Sequence, residues 1–280
     1  MNRVIVIGNS YRSEVAYLKD LLSAGSQLNG LILSANYGGS YSLASNLIVL
    51  QADTYLITRF ASDWVANEML GRFDRQGGAA FFGNSSLAKT PAVFYLVDKD
   101  GQTTLINDVP YDSYPDLADG FPAIVTDPDD YGLINIPNTN YLLKAVASYP
   151  DLNWIAYNCL PEDKLLPLLA GVVMDYDYLA KLLDESQFRI LASELLAKGL
   201  KWLIIFNRGK EVRLFSPAGG GTYRKKESGP YFIGCYEAFV SMLTACLANG
   251  YDLDSAINHG LNLANDLSYQ KNIVLHEELF

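Results

Sequence analysis

Short continuous apolar runs alternate along this chain with segments whose apolar residues recur at helical spacing. Val4-Ile5-Val6-Ile7, closed by Gly8, has the unbroken β-branched pattern of a strand covered on both faces. Leu31-Ile32-Leu33, Asp53 to Phe60, Trp154 to Tyr157, Val172 to Met174 and Trp202 to Phe206 repeat that signal. Between them, helices are predicted over Ser42 to Gln51 (Leu43, Leu47 and Leu50 on one face), Trp64 to about Arg72, Glu162 to Leu169, Tyr178 to Leu183 and Arg189 to Lys198. Asp63 stands where the helix from Trp64 needs an N-cap. Ala92 to Val97 and Thr103 to Ile106 flank Asp98-Lys99-Asp100-Gly101, whose Asp-Gly pair predicts a hairpin. A second hairpin is predicted about Arg208-Gly209-Lys210, leading into Val212 to Phe215. Gly219-Gly220-Gly221 reads as a flexible connector, because no helix follows it. Tyr111 to Asn140 reads as irregular, with Asp127, Asp129 and Asp130 in a solvated loop. Asp254 is placed as the cap of a last helix from Ser255 to about Leu267.

Repeated strand–helix pairs imply a mostly parallel sheet with helices on both faces and right-handed crossovers. Ligand sites in such folds lie at the carboxyl ends of the strands. Asn9, Ser10, Arg12 and Ser13 follow the first strand there. Gly38-Gly39 precedes a helix, and two adjacent glycines either serve a tight turn or let a ligand approach the backbone closely.

The stretch richest in chemistry runs from Tyr231 to Phe239 and opens directly onto the apolar helix Val240 to Leu247. A glycine-marked turn before a helix leaves backbone N–H groups free at the positive end of a dipole, which suits an anion. Glu237 adds a carboxylate in the first turn, where negative charge is favoured. An anion site with a carboxylate inside it matches the needs of phosphoryl transfer to a hydroxyl. The same residues also fit a plain acidic helix start.

Composition narrows the partners. The 280 residues are 50% hydrophobic with a net charge of −10, enough to bury a large core. No Lys/Arg run exceeds Arg224-Lys225-Lys226, so a nucleic-acid partner is not expected. No apolar run reaches membrane-spanning length, and no signal peptide is expected at the N-terminus. Cys159, Cys235 and Cys246 are unclustered and in apolar context, as expected of a soluble cytoplasmic protein.

Taken together these pieces resemble the ribokinase-like (PfkB) carbohydrate kinases over nearly the whole length. The family signature Asp-Thr-Thr-Gly-Ala-Gly-Asp-Ala-Phe lies over Tyr231 to Phe239, with Gly234, Ala238 and Phe239 matching. The family's Gly-Gly lies over Gly38-Gly39. Its Gly-Asp-Asp lies over Ala61-Ser62-Asp63, keeping the last acid. Thr90-Pro91 and the hairpin after it resemble the strands of a sugar-covering lid.

The resemblance implies a three-layer α/β/α sandwich built as one domain over residues 1–280, with lid strands from about 30–37 and 90–108. It implies ATP and Mg2+ as cofactors and a sugar or nucleoside-like acceptor. Glu237 falls on the catalytic base, an aspartate in the family, and Gly234, Cys235 and Tyr236 fall on the anion hole. Substrate positions fall on Ser13, Gly38, Gly39, Leu43 and Asp63. Metal positions fall on Asp175 and Asp177, and nucleotide positions on Asn207, Arg208 and Gly209.

Several positions depart from the family pattern. Glu237 moves the carboxylate by about one methylene, and a shift of order 1 Å costs about 10²-fold in rate. Tyr236 replaces a glycine, and its side chain is expected to crowd the γ-phosphate. Ser13 and Leu43 replace two polar sugar anchors. The expected function is a diverged ATP-dependent kinase. The alternative is a non-catalytic relative that binds a small ligand or partner in the same cleft, or that dimerises by pairing lid strands.

Overall fold

The computed structural model describes residues 2–19, 30–82, 87–108, 121–136 and 139–270. Their thirteen strands form two sheets. The strands are β1 (Arg3–Ile7), β2 (Ser10–Leu18), β3 (Gly30–Gly39), β4 (Asp53–Thr58), β5 (Ala79–Phe82), β6 (Ala92–Val97), β7 (Thr103–Asn107), β8 (Tyr131–Ile134), β9 (Asn153–Tyr157), β10 (Leu169–Asp175), β11 (Leu203–Asn207), β12 (Glu211–Ser216) and β13 (Gly219–Arg224). The helices are α1 (Ser40–Val49), α2 (Trp64–Arg75), α3 (Thr139–Ser148), α4 (Tyr176–Leu179), α5 (Phe188–Ala197), α6 (Cys235–Ala248) and α7 (Leu253–Ser268).

The large sheet has the order β13-β12-β11-β10-β9-β8-β1-β4-β5. It is parallel from β11 to β5, and β12 and β13 add an antiparallel edge. Successive side chains on a strand point to opposite faces. Val4 and Val6 accordingly enter a core built with α1, α2, α6 and α7. Ile5 and Ile7 enter a second core with α3 and α5. This is the expected three-layer sandwich, and the unbroken apolar runs follow from coverage on both faces.

The small sheet, β3-β2-β6-β7, is the lid. Its strands include the expected segments near 30–37 and 90–108, with one addition. Ser10 to Leu18, read as ligand-binding loop at its start, is a lid strand that pairs with both β3 and β6. Its buried positions, Ser10, Ser13, Val15 and Leu18, follow no strict alternation, because the ladder to β3 shifts register between Ser13 and Val15. Val15 and Val97 on the inner face pack with Tyr17, Tyr95, Phe232 and Ile233 and seat the lid on the turn before α6.

Other expectations changed for local reasons. Gly219 to Gly221 are not a connector but the start of edge strand β13. The stretch read as irregular contains β8, buried between β1 and β9, while its residues 109–120 and 137–138 lie outside the described residues. Asp130 is buried and accepts the N–H groups of Arg3 and Asp127, so it is a strut rather than a solvated acid. The helix expected at Glu162 to Leu169 is a 3-10 turn, Asp163–Leu168, interrupted by Pro167. The helix expected at Tyr178 to Leu183 is the four-residue α4. Asp252, not Asp254, caps α7, accepting from Ser255 N at 2.8 Å.

Candidate active site

The site forms where α6 begins, under the lid and beside the carboxyl ends of β9, β10 and β11. Gly234 adopts φ 92°, a left-handed conformation that favours glycine, and turns the chain into α6. The Cys235 N–H is taken by the Phe232 carbonyl at 3.2 Å. Those of Tyr236 and Glu237 have no backbone acceptor among the described residues, and they carry the positive end of the helix.

Glu237 is half-buried in the first turn. Burial pushes its carboxyl up to about 7; its own N–H opposes this and the charge of Asp175 reinforces it. Asp175 ends β10, caps α4 through Tyr178 N at 3.1 Å, and takes Asn158 Oδ1 on its own N–H at 2.8 Å. Burial, with Asp177 adding to it, raises its carboxyl to about 6.

The Tyr236 side chain, expected to crowd an anion, is only 6% exposed. It points into the core, where its hydroxyl donates to the Val173 carbonyl at 2.9 Å and its ring packs edge-on against Phe206. Position 236 lies on the sheet-facing side of α6, in the core cluster with Phe206 and Phe239. That geometry could not be read from the motif.

Leu43 has no exposed surface and lies wholly in the core, so it presents nothing to the cleft. Asp63 caps α2 through Ala66 N at 2.9 Å and also accepts the N–H and hydroxyl of Thr90 at 2.6 and 2.7 Å. Despite burial, these bonds hold its carboxyl below the usual value. It ties α2 to the base of the lid. Ser13 lies in β2, 2% exposed, and its hydroxyl has no hydrogen-bond partner among the described residues. Gly38 and Gly39 end β3, and Gly39, at φ 67°, opens α1.

Arg208 follows β11 at φ 47°. It donates to Asp177 at 2.7 Å and to the Gly101 carbonyl of the lid turn at 2.9 Å, and its guanidinium lies 4.2 Å from the Phe232 ring centroid. Gly209 packs its Cα against Ala264 of α7, where a Cβ would come within 3.0 Å of a carbonyl. Asn207 is partly exposed at the end of β11. A cavity of about 680 Å³ opens beside this group, lined by Tyr17, Lys19, Lys99, Gly101, Arg208 and Phe232 among others. Its size falls in the range usual for small-molecule sites.

Motif reading missed a set of phenols. Glu237 lies within electrostatic reach of Tyr11, Tyr95, Tyr157 and Tyr236. The Tyr11 and Tyr95 hydroxyls are 3.4 Å apart, and Tyr157 meets the Ser40 hydroxyl at 2.9 Å. The count of 19 tyrosines was the one available signal, and it says nothing about place.

No protein-family model and no curated protein matches the chain. Solved structures do. A ribokinase from Giardia lamblia superposes with a TM-score of 0.73 at 14% identity, covering 99% of this chain and 98% of that one. A nucleoside kinase of the ribokinase family from Methanocaldococcus jannaschii gives 0.72 at 14%, covering 98% and 93%. An Arabidopsis thaliana ribokinase, solved with ribose and ATP, gives 0.68 at 14%, covering 99% and 96%. The chain therefore has the ribokinase-like fold of sugar and nucleoside kinases.

Proposed function

We propose that the chain transfers the γ-phosphoryl group of ATP to a hydroxyl of a sugar or nucleoside-like small molecule. The observation that carries this reading is the placement of Glu237. A carboxylate titrating near neutrality stands in the first turn of a helix whose Tyr236 N–H has no acceptor among the described residues, at the strand ends under a lid. The acceptor oxygen attacks the γ-phosphorus, the bond to the β-phosphate bridging oxygen breaks, and ADP leaves. Glu237 takes the hydroxyl proton, for which a base titrating near the working pH is best suited. The Tyr236 N–H, at the positive end of α6, stabilises the charge on the transferring group.

Arg208, Lys19 and Lys99 supply cations around the neighbouring cavity for the remaining phosphates. Among the described residues no group of three or more His, Cys, Asp or Glu gathers to hold a metal ion. Asp177 is already neutralised by Arg208. Asp175 is the undercompensated carboxylate. It fits Mg2+, which is usually held by one or two carboxylates together with the substrate's phosphates. Bound there, the ion would neutralise charge on the phosphates.

A second reading is favoured by the bond from Arg208 to the Gly101 carbonyl and by the Tyr11 ring, which lies against Gly38 and Gly39 where a Cβ would come within 2.2 and 2.8 Å of it: a protein that binds a small ligand in this cleft without turnover. The exposed apolar residues Phe94, Leu105 and Ile106 of the lid support pairing with a second copy.

Calorimetric titration of Mg-ATP into the wild type and Glu237→Gln separates these readings. Binding by both proteins, with phosphoryl transfer only by the wild type, is the expected result. Binding without transfer to any sugar, nucleoside or other alcohol points to the second reading. No heat at millimolar ATP sinks the kinase assignment.

A further inference from the structure

The large sheet ends on β13, and no strand among the described residues pairs with its outer side. The phase of the β12–β13 ladder decides which groups are left over. The Lys225 N–H bonds to the Lys210 carbonyl at 2.8 Å. Counting from there in steps of two, Val212 with Tyr223 and Leu214 with Gly221 are the hydrogen-bonded pairs. Gly220, Thr222 and Arg224 stand at the intervening pairs, so their N–H and C=O groups point outward along the open edge. Edge strands are commonly blunted by proline, lysine or a bulge. Here the register runs unbroken from Glu211–Arg224 to Ser216–Gly219, and β13 contains neither proline nor lysine.

The same residues line a cleft. One face of β13 is closed by α7, where the Tyr223 hydroxyl meets Asp254. The other looks onto α5. A cavity of about 850 Å³ lies there between Arg189 and Ser193 of the helix, Arg213 and Phe215 of β12, and Thr222 and Arg224 of β13. Gly220 and Gly221 in the same wall contribute backbone only. Positive charge predominates. Glu185 binds Arg213, and Glu211 is shared between Arg213 and Arg224. Arg189 meets no carboxylate among the described residues. Three arginines therefore face two carboxylates, on a chain whose net charge is −10. Arg224-Lys225-Lys226, the longest basic run, carries the positive charge past the end of the strand.

We propose that the β13 edge takes an extended acidic segment of another polypeptide as a further strand of the sheet. The segment pairs antiparallel with Gly220, Thr222 and Arg224, and its alternate side chains, Asp or Glu, enter the cleft toward Arg189 and Arg224. Main-chain hydrogen bonds supply affinity in this mode of recognition, and the pockets beside the edge select the side chains. The site shares no residue with the one at α6 and lies on the other face of the sheet, so it stands independently of the chain's reaction.

The test uses the full chain and a capped peptide of alternating threonine and glutamate, Thr-Glu-Thr-Glu-Thr-Glu-Thr, titrated by calorimetry at low salt. Two further peptides are controls. One has lysine in place of glutamate. The other is N-methylated at every glutamate, which keeps the charge but removes the N–H groups that would face β13. The wild type should bind the glutamate peptide and neither control. Thr222→Pro removes an outward N–H and no bond of the β12–β13 ladder, so it should fold and lose the peptide. Arg189→Glu should weaken the peptide about fivefold or more, as reversal of a partly exposed charge gives. Should Thr222→Pro fail to fold, the N-methylated peptide on the wild type still decides. No heat from the glutamate peptide overturns the proposal, as does equal binding of either control. Wild-type affinity retained by Thr222→Pro or by Arg189→Glu overturns it as well. So does a wild-type dimer in sedimentation that Thr222→Pro takes apart, since the edge would then belong to a second copy of this chain.

Discussion

The Tyr236 hydroxyl donates to the Val173 carbonyl at 2.9 Å, which fastens the first turn of α6 to the centre of strand β10. Val173 O also accepts Asn158 N at 3.0 Å, so this carbonyl keeps one partner if the phenol is lost. Tyr236→Phe should then cost about 1 kcal/mol of stability, the net worth of one hydrogen bond, and leave nucleotide affinity unchanged. Tyr236→Gly, which restores the family residue, should cost about 3–5 kcal/mol because it opens a cavity against Phe206. Chemical denaturation of the two variants checks both. A rise in ATP affinity on Tyr236→Gly would mean that the ring does stand in the anion's way.

Glu237→Gln should reduce phosphoryl transfer by about 10²–10⁴-fold, the range of general-base catalysis, with ATP binding retained. In the wild type the rate should rise with pH through about 7, as Glu237 loses its proton. A flat profile between pH 5.5 and 8 would remove Glu237 from the base role.

The same carboxylates affect stability, with a definite sign. Glu237 and Asp175 are raised from 4.5 to about 7 and from 3.8 to about 6 by burial. Between those values the folded chain holds protons that the unfolded chain has released. Their contribution therefore falls as pH rises from about 4 to about 7. Asp63 and Glu211 are lowered and act oppositely, but only in the more acid range. Melting curves of the wild type and Glu237→Gln across that window should differ in slope, with the variant the flatter.

Asp63 is expected to matter for the lid more than for a ligand. Asp63→Ala removes the α2 cap, worth about 0.5–2 kcal/mol, and also frees the Thr90 N–H and hydroxyl. Hydrogen exchange should quicken at Thr90 and along β6. Exchange unchanged there, with substrate binding lost, would return Asp63 to the substrate.

Arg208→Ala should release the lid turn at Gly101, seen as faster exchange over residues 98–101, and should weaken Mg-ATP binding. A weakened nucleotide with an unaltered lid would mean that the bond to Gly101 contributes nothing to closure.

Much of the fold was legible. Runs such as Val4 to Ile7 and Val172 to Met174 can be satisfied only between two helical layers, and that requirement is local enough to show in a one-dimensional pattern. The Gly234 turn, with Glu237 in the first turn of α6, was legible for the same reason. Lid strand β2 was not, because its alternation is broken by Arg12 and by a bulge between Ser13 and Val15. Strand β13 was hidden by three glycines, which carry no side-chain signal and are held in the sheet by their partner strand.

The sequence by itself thus determined the layered α/β architecture, the glycine turn before α6 and the carboxylate in its first turn, since each depends on residues close together in the chain. Only the tertiary structure decided which way side chains face across the cleft. It sent Tyr236 into the core and Asp63 to the lid, and it laid Tyr11 over Gly38 and Gly39. Those outcomes depend on strand register and on which pocket lies within reach, and both are set by segments far apart in the chain.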